Sequence, residues 1–468
     1  MPKYLKKFFG EKQSLIAGAL IISAGGFLSK LLGAAYRIPL TNILGGEGMG
    51  IYQMVYPLYC ILLTVSASGI PAGIARLISS GKAEGAERTA FALYGAIGAI
   101  GSVAMYLLAR PLAAAQGEPA VELCCKLLSP AVFFVALLSV VRGYYQGRDN
   151  MVPTAFTEVC EQLIKVLAGI ALALTFRNDL TLAVASTLFA VTISELISSV
   201  FAVALYRGER HSARRPLFRL SPVRTGQILR YTVPITFTAI AMPLSQLAES
   251  IVAVNLLREL TPEATALYGI FSGCAMTMIN LPVSVTYGLA AASVPKISPL
   301  AASGKDSEAH ALALRTLLIT LGVAVPFAAG LFIFAPLSVT LIFRSLTEAQ
   351  GALLIRLVRI MAVNAVTLSL VQTASACLTA LGKPLRATVT QWAACILRVV
   401  LTAILIKFTS LSVSGAAVAA NISFFVAAAL NIWYIIPVGR SRRADVKAPQ
   451  SQTACGGVYE DNAYRPRR

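Results

Sequence analysis

Twelve apolar runs, each long enough to cross a lipid bilayer, constrain this chain more than any other feature. A hydrocarbon core of about 30 Å needs about 20 apolar residues in helix. The runs cover approximately 14–40, 50–78, 88–112, 121–145, 152–176, 180–206, 226–257, 264–294, 310–342, 352–381, 385–407 and 412–437. Several exceed 25 residues, which predicts tilt or kinks, and internal Pro57, Pro71, Pro130, Pro234, Pro243, Pro282, Pro326 and Pro336 fit that expectation. With 57% hydrophobic and 13% charged residues, the composition argues against a water-soluble enzyme and against a disordered chain. The first run follows Lys3, Lys6, Lys7 and Lys12 as a signal peptide would, but its length, with Lys30 and Arg37 inside it, predicts an uncleaved span.

The net charge of +19 would suggest a nucleic-acid partner in a soluble protein. Here 25 of the 40 basic residues fall in alternate connecting segments and the termini, and 5 fall in the others. Cytoplasmic loops collect Lys and Arg, so this bias predicts both termini inside the cytoplasmic membrane and no nucleic-acid partner. His211 and His310 lie in polar connectors, which leaves no His cluster for a metal and no nucleophilic triad. The eight cysteines lie almost all in apolar runs without CxxC spacing and are read as small buried hydrophobes. Gly45-Gly46-Glu47-Gly48-Met49-Gly50 lacks a preceding strand and a Gly-Lys-Ser/Thr, and is read as a tight turn.

The longest polar connector divides the chain into a six-helix lobe (1–206), a basic linker (207–224), a second six-helix lobe (225–437) and a basic tail (438–468) predicted to be disordered. A shift of 216 residues sets Leu28-Ser29-Lys30-Leu31 on Leu244-Ser245-Gln246-Leu247 and Tyr52 on Tyr268; a shift of 233 sets Glu158 on Gln391 and Lys165 on Arg398. An even number of spans per half makes the repeats parallel, related by an axis along the membrane normal. The expected fold class is therefore an all-α polytopic membrane protein of about twelve helices, in two parallel-repeat lobes around a V-shaped central cavity.

The stretch Gly33–Pro57 (GAAYRIPLTNILGGEGMGIYQMVYP), taken up again at Ser68–Ser79 (SGIPAGIARLIS), resembles the polysaccharide-transporter, stage V sporulation protein B-like branch of the multidrug/oligosaccharidyl-lipid/polysaccharide exporter (MOP) superfamily, and more distantly the lipid II flippases. The resemblance covers nearly the whole chain, with its specific motif in roughly residues 25–80. It implies a non-enzymatic flippase that moves a lipid-linked oligosaccharide or cell-wall precursor across the cytoplasmic membrane by alternating access. Membrane lipids and proteins of cell-wall synthesis are the partners it implies. Related flippases often carry two further C-terminal spans, whereas the apolar pattern here stops near Pro437.

Ionisable groups within spans are costly, so each is a candidate site with a partner to be found. Lys30 and Arg37, two helical turns apart, share a face that can offer two cations to one diphosphate; the alternative for Arg37 is snorkelling to the outer surface. Ser29, Lys30, Gly33 and Arg37 match the first-helix pattern of the flippases. Glu158, Glu161 and Lys165 share a face of the fifth span, where Glu161–Lys165 can pair and leave Glu158 to bind a proton or cation. Arg398 is expected to face Lys165 across the cavity. Glu195 and Glu249 are further ion-coupling candidates or structural ion-pair partners. Arg76 and Lys296, at matching span ends, either capture an anionic headgroup or merely follow the topological charge bias. No bound cofactor is expected; proton, sodium and membrane potential are all open as the driving force. The alternative function is a multidrug/cation antiporter of the same superfamily, and a membrane glycosyltransferase is disfavoured by short outer loops.

Overall fold

The computed structural model describes residues 14–79, 86–209 and 222–436. Most of the basic linker, the tail and the Lys3–Lys12 segment lie outside the described residues, as does His211. All regular structure among the described residues is helical, and ten stretches are long and apolar enough to cross a membrane. The chain is a multi-pass membrane protein.

Helix α1 (Leu15–Leu63) is two arms joined at Gly45, whose φ of +67° is the left-handed conformation that glycine adopts without a Cβ clash. Residues 29–37 and 52–56 wall the same chamber, so the arms fold back on each other. The reversal uses Gly45 alone; Gly46–Gly50 are already helical, which narrows the expected six-residue turn to one residue. A π-helical turn, Thr64–Ser68, leads into α2 (Ile70–Ser79). The N-terminal lobe continues with α3 (Ala86–Gln116), α4 (Ala120–Leu128), α5 (Ala131–Gln146), α6 (Val152–Thr175) and α7 (Leu180–Glu209).

The C-terminal lobe comprises α8 (Pro222–Ala239), α9 (Ala241–Arg258), α10 (Ala264–Tyr268), a second π turn (Gly269–Ala275), α11 (Met276–Ala302), α12 (Asp306–Ile333), α13 (Ala335–Ile342), α14 (Glu348–Ala380), α15 (Pro384–Phe408) and α16 (Val413–Ile435). The π turns interrupt the second span of each lobe, a structural echo of the repeat. Three expected spans are broken: 121–145 at Ser129–Pro130, 226–257 at Ile240 and 310–342 at Phe334. Each restarts with Pro130, Pro243 or Pro336 at or within the new first turn, where a missing N–H costs nothing. The last break also makes α13 a separate short helix. Dividing α1 at Gly45 and adding α6, whose Glu158, Glu161 and Lys165 disqualify it as a purely apolar span, is compatible with the expected twelve.

The largest apolar cluster crosses the lobe boundary at the Gly45 end, packing Tyr36, Leu40 and Met49 with Val254, Ile270 and Phe271. Gly46 and Gly50 meet Gly269 and Thr265 there at backbone contact: a Cβ on Gly50 would collide with the Thr265 carbonyl oxygen. Hydrogen bonds lace the same end. Asn42 donates to the Ile342 carbonyl (2.7 Å) and accepts from the Arg344 amide (2.8 Å). Gln116 donates to Ser250 (2.9 Å), Asn255 to the Ala115 carbonyl (2.8 Å) and Arg258 to the Gln116 carbonyl (2.8 Å). These contacts hold the lobes together at the Gly45 end, and away from it Tyr94 of α3 donates to Thr232 of α8 (2.8 Å). The seven described cysteines are all free, five of them buried.

Candidate functional site

Between the lobes lies a chamber of about 350 Å³. From the N-terminal lobe, α1 supplies Lys30 and Arg37, and α6 supplies Lys165 one turn beyond Gln162. The C-terminal lobe closes it with Asn280 and Tyr287 of α11 and Gln372 of α14. Spacing explains the convergence: Lys30 and Arg37 recur after two turns, and the fold of α1 at Gly45 returns Tyr52 and Tyr56 to the same wall. No carboxylate lines this chamber among the described residues, and none of its three cations takes part in a salt bridge there. The Lys30 ammonium sits 2.9 Å from the centroid of the Tyr287 ring, a cation–π contact between lobes. Buried Ser29 Oγ, Tyr36 Oη, Gln162 Oε1 and Gln372 Oε1 have no hydrogen-bond partner in the protein. Such groups are costly unless water or a ligand meets them.

A second chamber of about 140 Å³ adjoins the first and shares Arg37, Tyr56 and Asn280 with it. Its C-terminal-lobe walls include Gln246, Glu249, Tyr268 and Arg398. The repeat now has a spatial meaning. Lys30, Tyr52 and Lys165 line the larger chamber, and their repeat counterparts Gln246, Tyr268 and Arg398 line the smaller one. Arg398 holds Glu249 in a two-pronged salt bridge (Nε–Oε1 2.9 Å, Nη2–Oε2 2.6 Å), and Thr402 adds a longer contact to Oε1 (3.4 Å). Both residues are buried, so this planar fork against a carboxylate is the geometry in which a buried pair satisfies both partners. Arg398 therefore meets Glu249 and does not face Lys165 across one cavity.

Behind the larger chamber is a third group. Glu161 pairs with Arg142 (3.0 Å), which also donates to Thr157 (3.1 Å); the expected Glu161–Lys165 pair does not form, and Lys165 remains on the chamber wall. Arg142 is thereby a partly buried ion-pair partner on α5. Glu161 also lies near Glu195 of α7, one of whose carboxyl oxygens is buried without a hydrogen-bond partner. Tyr59 donates to Glu195 (3.4 Å), and Tyr52, Tyr56 and Tyr59 form a run of neighbouring rings with centroids 5.4 and 5.8 Å apart. Their i, i+4, i+7 spacing was visible in the sequence as a tyrosine face, but nothing local marked it as a link between a chamber and a carboxyl pair.

Arg37 lines both chambers, so it is turned inward and is not snorkelling outward. Glu158 is half-buried near Lys30 and Arg142 but lines neither chamber. Arg76 and Lys296 are exposed and belong to neither wall. Tyr287, Gln162, Gln372 and Asn280 went unpredicted because polar uncharged residues in an apolar helix carry no sequence signal of direction.

The chain is 29% identical over 304 residues to stage V sporulation protein B of Bacillus subtilis (strain 168), a match that covers 61% of this chain and 58% of that relative's length. It is 22% identical over 360 residues to the lipid II flippase MurJ of the same organism, over 71% of this chain and 66% of the relative. Among solved structures, an inward-facing multidrug resistance MATE family transporter of the MOP superfamily superposes with a TM-score of 0.74 at 17% identity, covering 89% of this chain and 97% of that one. A MOP superfamily transporter from Pyrococcus furiosus Vc1, described as having a binding pocket of reverse polarity, superposes with a TM-score of 0.65 at 15% identity, covering 93% of this chain and 97% of that one. These likenesses show the fold of that superfamily. A polysaccharide biosynthesis protein family model matches residues 15–301, and the chain belongs to that family.

Proposed function

We propose that this protein is a flippase that moves a lipid-linked oligosaccharide or cell-wall precursor across the cytoplasmic membrane, by alternating access between its two lobes. The observation that carries this reading is the composition of the larger chamber: three cations, no carboxylate and four unpaired hydroxyl or amide oxygens. A diphosphate supplies anions to Lys30, Arg37 and Lys165, and Arg37 can grip it in two-pronged fashion. Sugar hydroxyls are donors as well as acceptors, so they suit the unpaired Gln162 and Gln372 oxygens. The charge bias of the connecting segments assigns the Gly45 end to the outside. On that assignment the laced end is the closed outer gate, and transport requires its hydrogen bonds to exchange for contacts at the other end.

The Glu161–Glu195 pair supplies a coupling element. The two carboxyl groups are neighbours, with Arg142 paired to Glu161 and Lys165 the other nearby cation, so a proton or cation is the species they can take up and release. The tyrosine run leads from this pair to the chamber wall, so occupancy of one bears on the other. Glu249, held by Arg398, is a structural partner in this scheme. The antiporter alternative calls for acids in the chamber that receives a cationic drug, and the larger chamber offers cations instead.

Depletion of the protein in its host, followed by quantification of lipid-linked sugar precursors on the inner leaflet, tests the reading. Precursor should accumulate and fall again on complementation. An unchanged precursor pool together with altered dye efflux would overturn the flippase in favour of the antiporter.

A further inference from the structure

Arg356 and Arg359 lie three residues apart on one face of α14, are both exposed, and line neither chamber. At a rise of 1.5 Å per residue they lie about 12 and about 17 Å from Glu348, along a helix about 50 Å long. Centring that helix on a core of about 30 Å puts them within roughly 2–7 Å of the hydrocarbon boundary, the depth at which extended arginine side chains reach phosphates. Neither forms a salt bridge among the described residues. The Arg359 guanidinium lies 5.8 Å from the ring centroid of Phe332, at the end of α12.

A groove of about 370 Å³ begins beside Phe332. It is lined by Pro326, Phe327, Gly330 and Leu331 of α12 and by Ser338 of α13. The Ser338 hydroxyl is already donated to the Phe334 carbonyl, and an added Cβ on Gly330 would meet no atom within 4 Å. Exposed Phe327, Phe332, Phe334, Leu337 and Leu341 surround it, so this is a bilayer-facing surface. Pro326 is seven residues below Ile333, about 10 Å deeper along α12. Two cations at headgroup depth therefore stand above an apolar slot that runs towards the bilayer centre.

We infer that this face binds an acidic phospholipid, with its phosphate held by Arg356 and Arg359 and one acyl chain in the slot between Pro326 and Leu331. Charge complementarity selects the occupant: two unpaired guanidinium groups and an apolar slot match an anionic headgroup and its chain. The site is separate from the chambers and does not rest on the transport reading.

Native mass spectrometry of the full chain, purified in detergent and titrated with phosphatidylglycerol or phosphatidylcholine, tests it. Phosphatidylglycerol should be retained about tenfold better, because both lipids offer a phosphate but only phosphatidylglycerol is net anionic beside the two arginines. The double variant R356Q/R359Q should lose that preference. Gly330→Leu, which fills the slot and leaves both arginines, should lower retention of both lipids and so keeps the proposal testable if the double variant fails to fold. Equal retention of the two lipids by the wild type, a double variant that keeps its preference, or a lipid-free dimer formed through this face would each overturn the inference.

Discussion

Replacing Glu249 by Gln would leave the Arg398 guanidinium buried without its anion, and removing one partner of a buried pair costs about 3–5 kcal/mol. Glu249→Gln and Arg398→Met should each lower the unfolding temperature of the purified protein sharply, and the double replacement should recover most of the loss. Single variants as stable as wild type would refute the structural role of the pair. Chamber cations should behave differently. Lys30→Ala and Arg37→Ala should each weaken binding of a polyprenyl diphosphate by roughly 10- to 100-fold, from about 1.5–3 kcal/mol per charge-assisted contact. Their unfolding temperatures should change little, because neither cation has a carboxylate partner to abandon. Wild-type affinity in both, measured by ligand-induced thermal shift, would remove the chamber from the mechanism. At this scale the sequence named the charges and could not pair them. Glu161 had a cation at i+4 and took one from another helix, because Arg142 approaches it through space while Lys165 points to the chamber.

At the scale of elements, the close approach of α1 to α10 and the following π turn depends on absent side chains. A Cβ on Gly50 meets the Thr265 carbonyl oxygen, and one on Gly269 meets the Gly46 carbonyl oxygen, both backbone atoms that cannot rotate away. Gly50→Val should therefore hold the lobes apart at the Gly45 end. A cysteine pair at Ala115 and Asn255, whose backbone carbonyl and side chain are hydrogen-bonded across the lobes, would report this as a lower yield of chemical cross-link. An unchanged yield would show that the glycines are not what permits closure. The positions of the spans were legible in the apolar runs, but the prolines did not tell which would break: Pro130, Pro243 and Pro336 stand at breaks, whereas Pro57, Pro234, Pro282 and Pro326 lie inside continuous helices. The one-residue reversal at Gly45 was not legible, since six residues of a glycine-rich stretch could each have supplied the turn.

For the whole molecule, the charge bias predicts that reporters fused to either end stay on the inner side of the membrane. Alkaline phosphatase fused after residue 436 should be inactive and a fluorescent protein at the same place should mature; the opposite result would invert the outer-gate assignment while leaving the fold untouched. The parallel repeat was readable from aligned tetrads and single residues. Its consequence was not: counterpart residues Lys30 and Gln246, Tyr52 and Tyr268, and Lys165 and Arg398 line two adjoining chambers, one with unpaired cations and the other with the Arg398–Glu249 ion pair.

Apolar run length, charge bias and the internal repeat determined by themselves that this chain is a two-lobed helical membrane protein, because the bilayer imposes those patterns locally, span by span. Only the tertiary structure decided which charges share a chamber, which neutralise one another and which face lipid. Those outcomes depend on helix rotation and on contacts between different helices, from 19 positions apart for Arg142 and Glu161 to 149 for Glu249 and Arg398, and a pattern along one helix does not encode them.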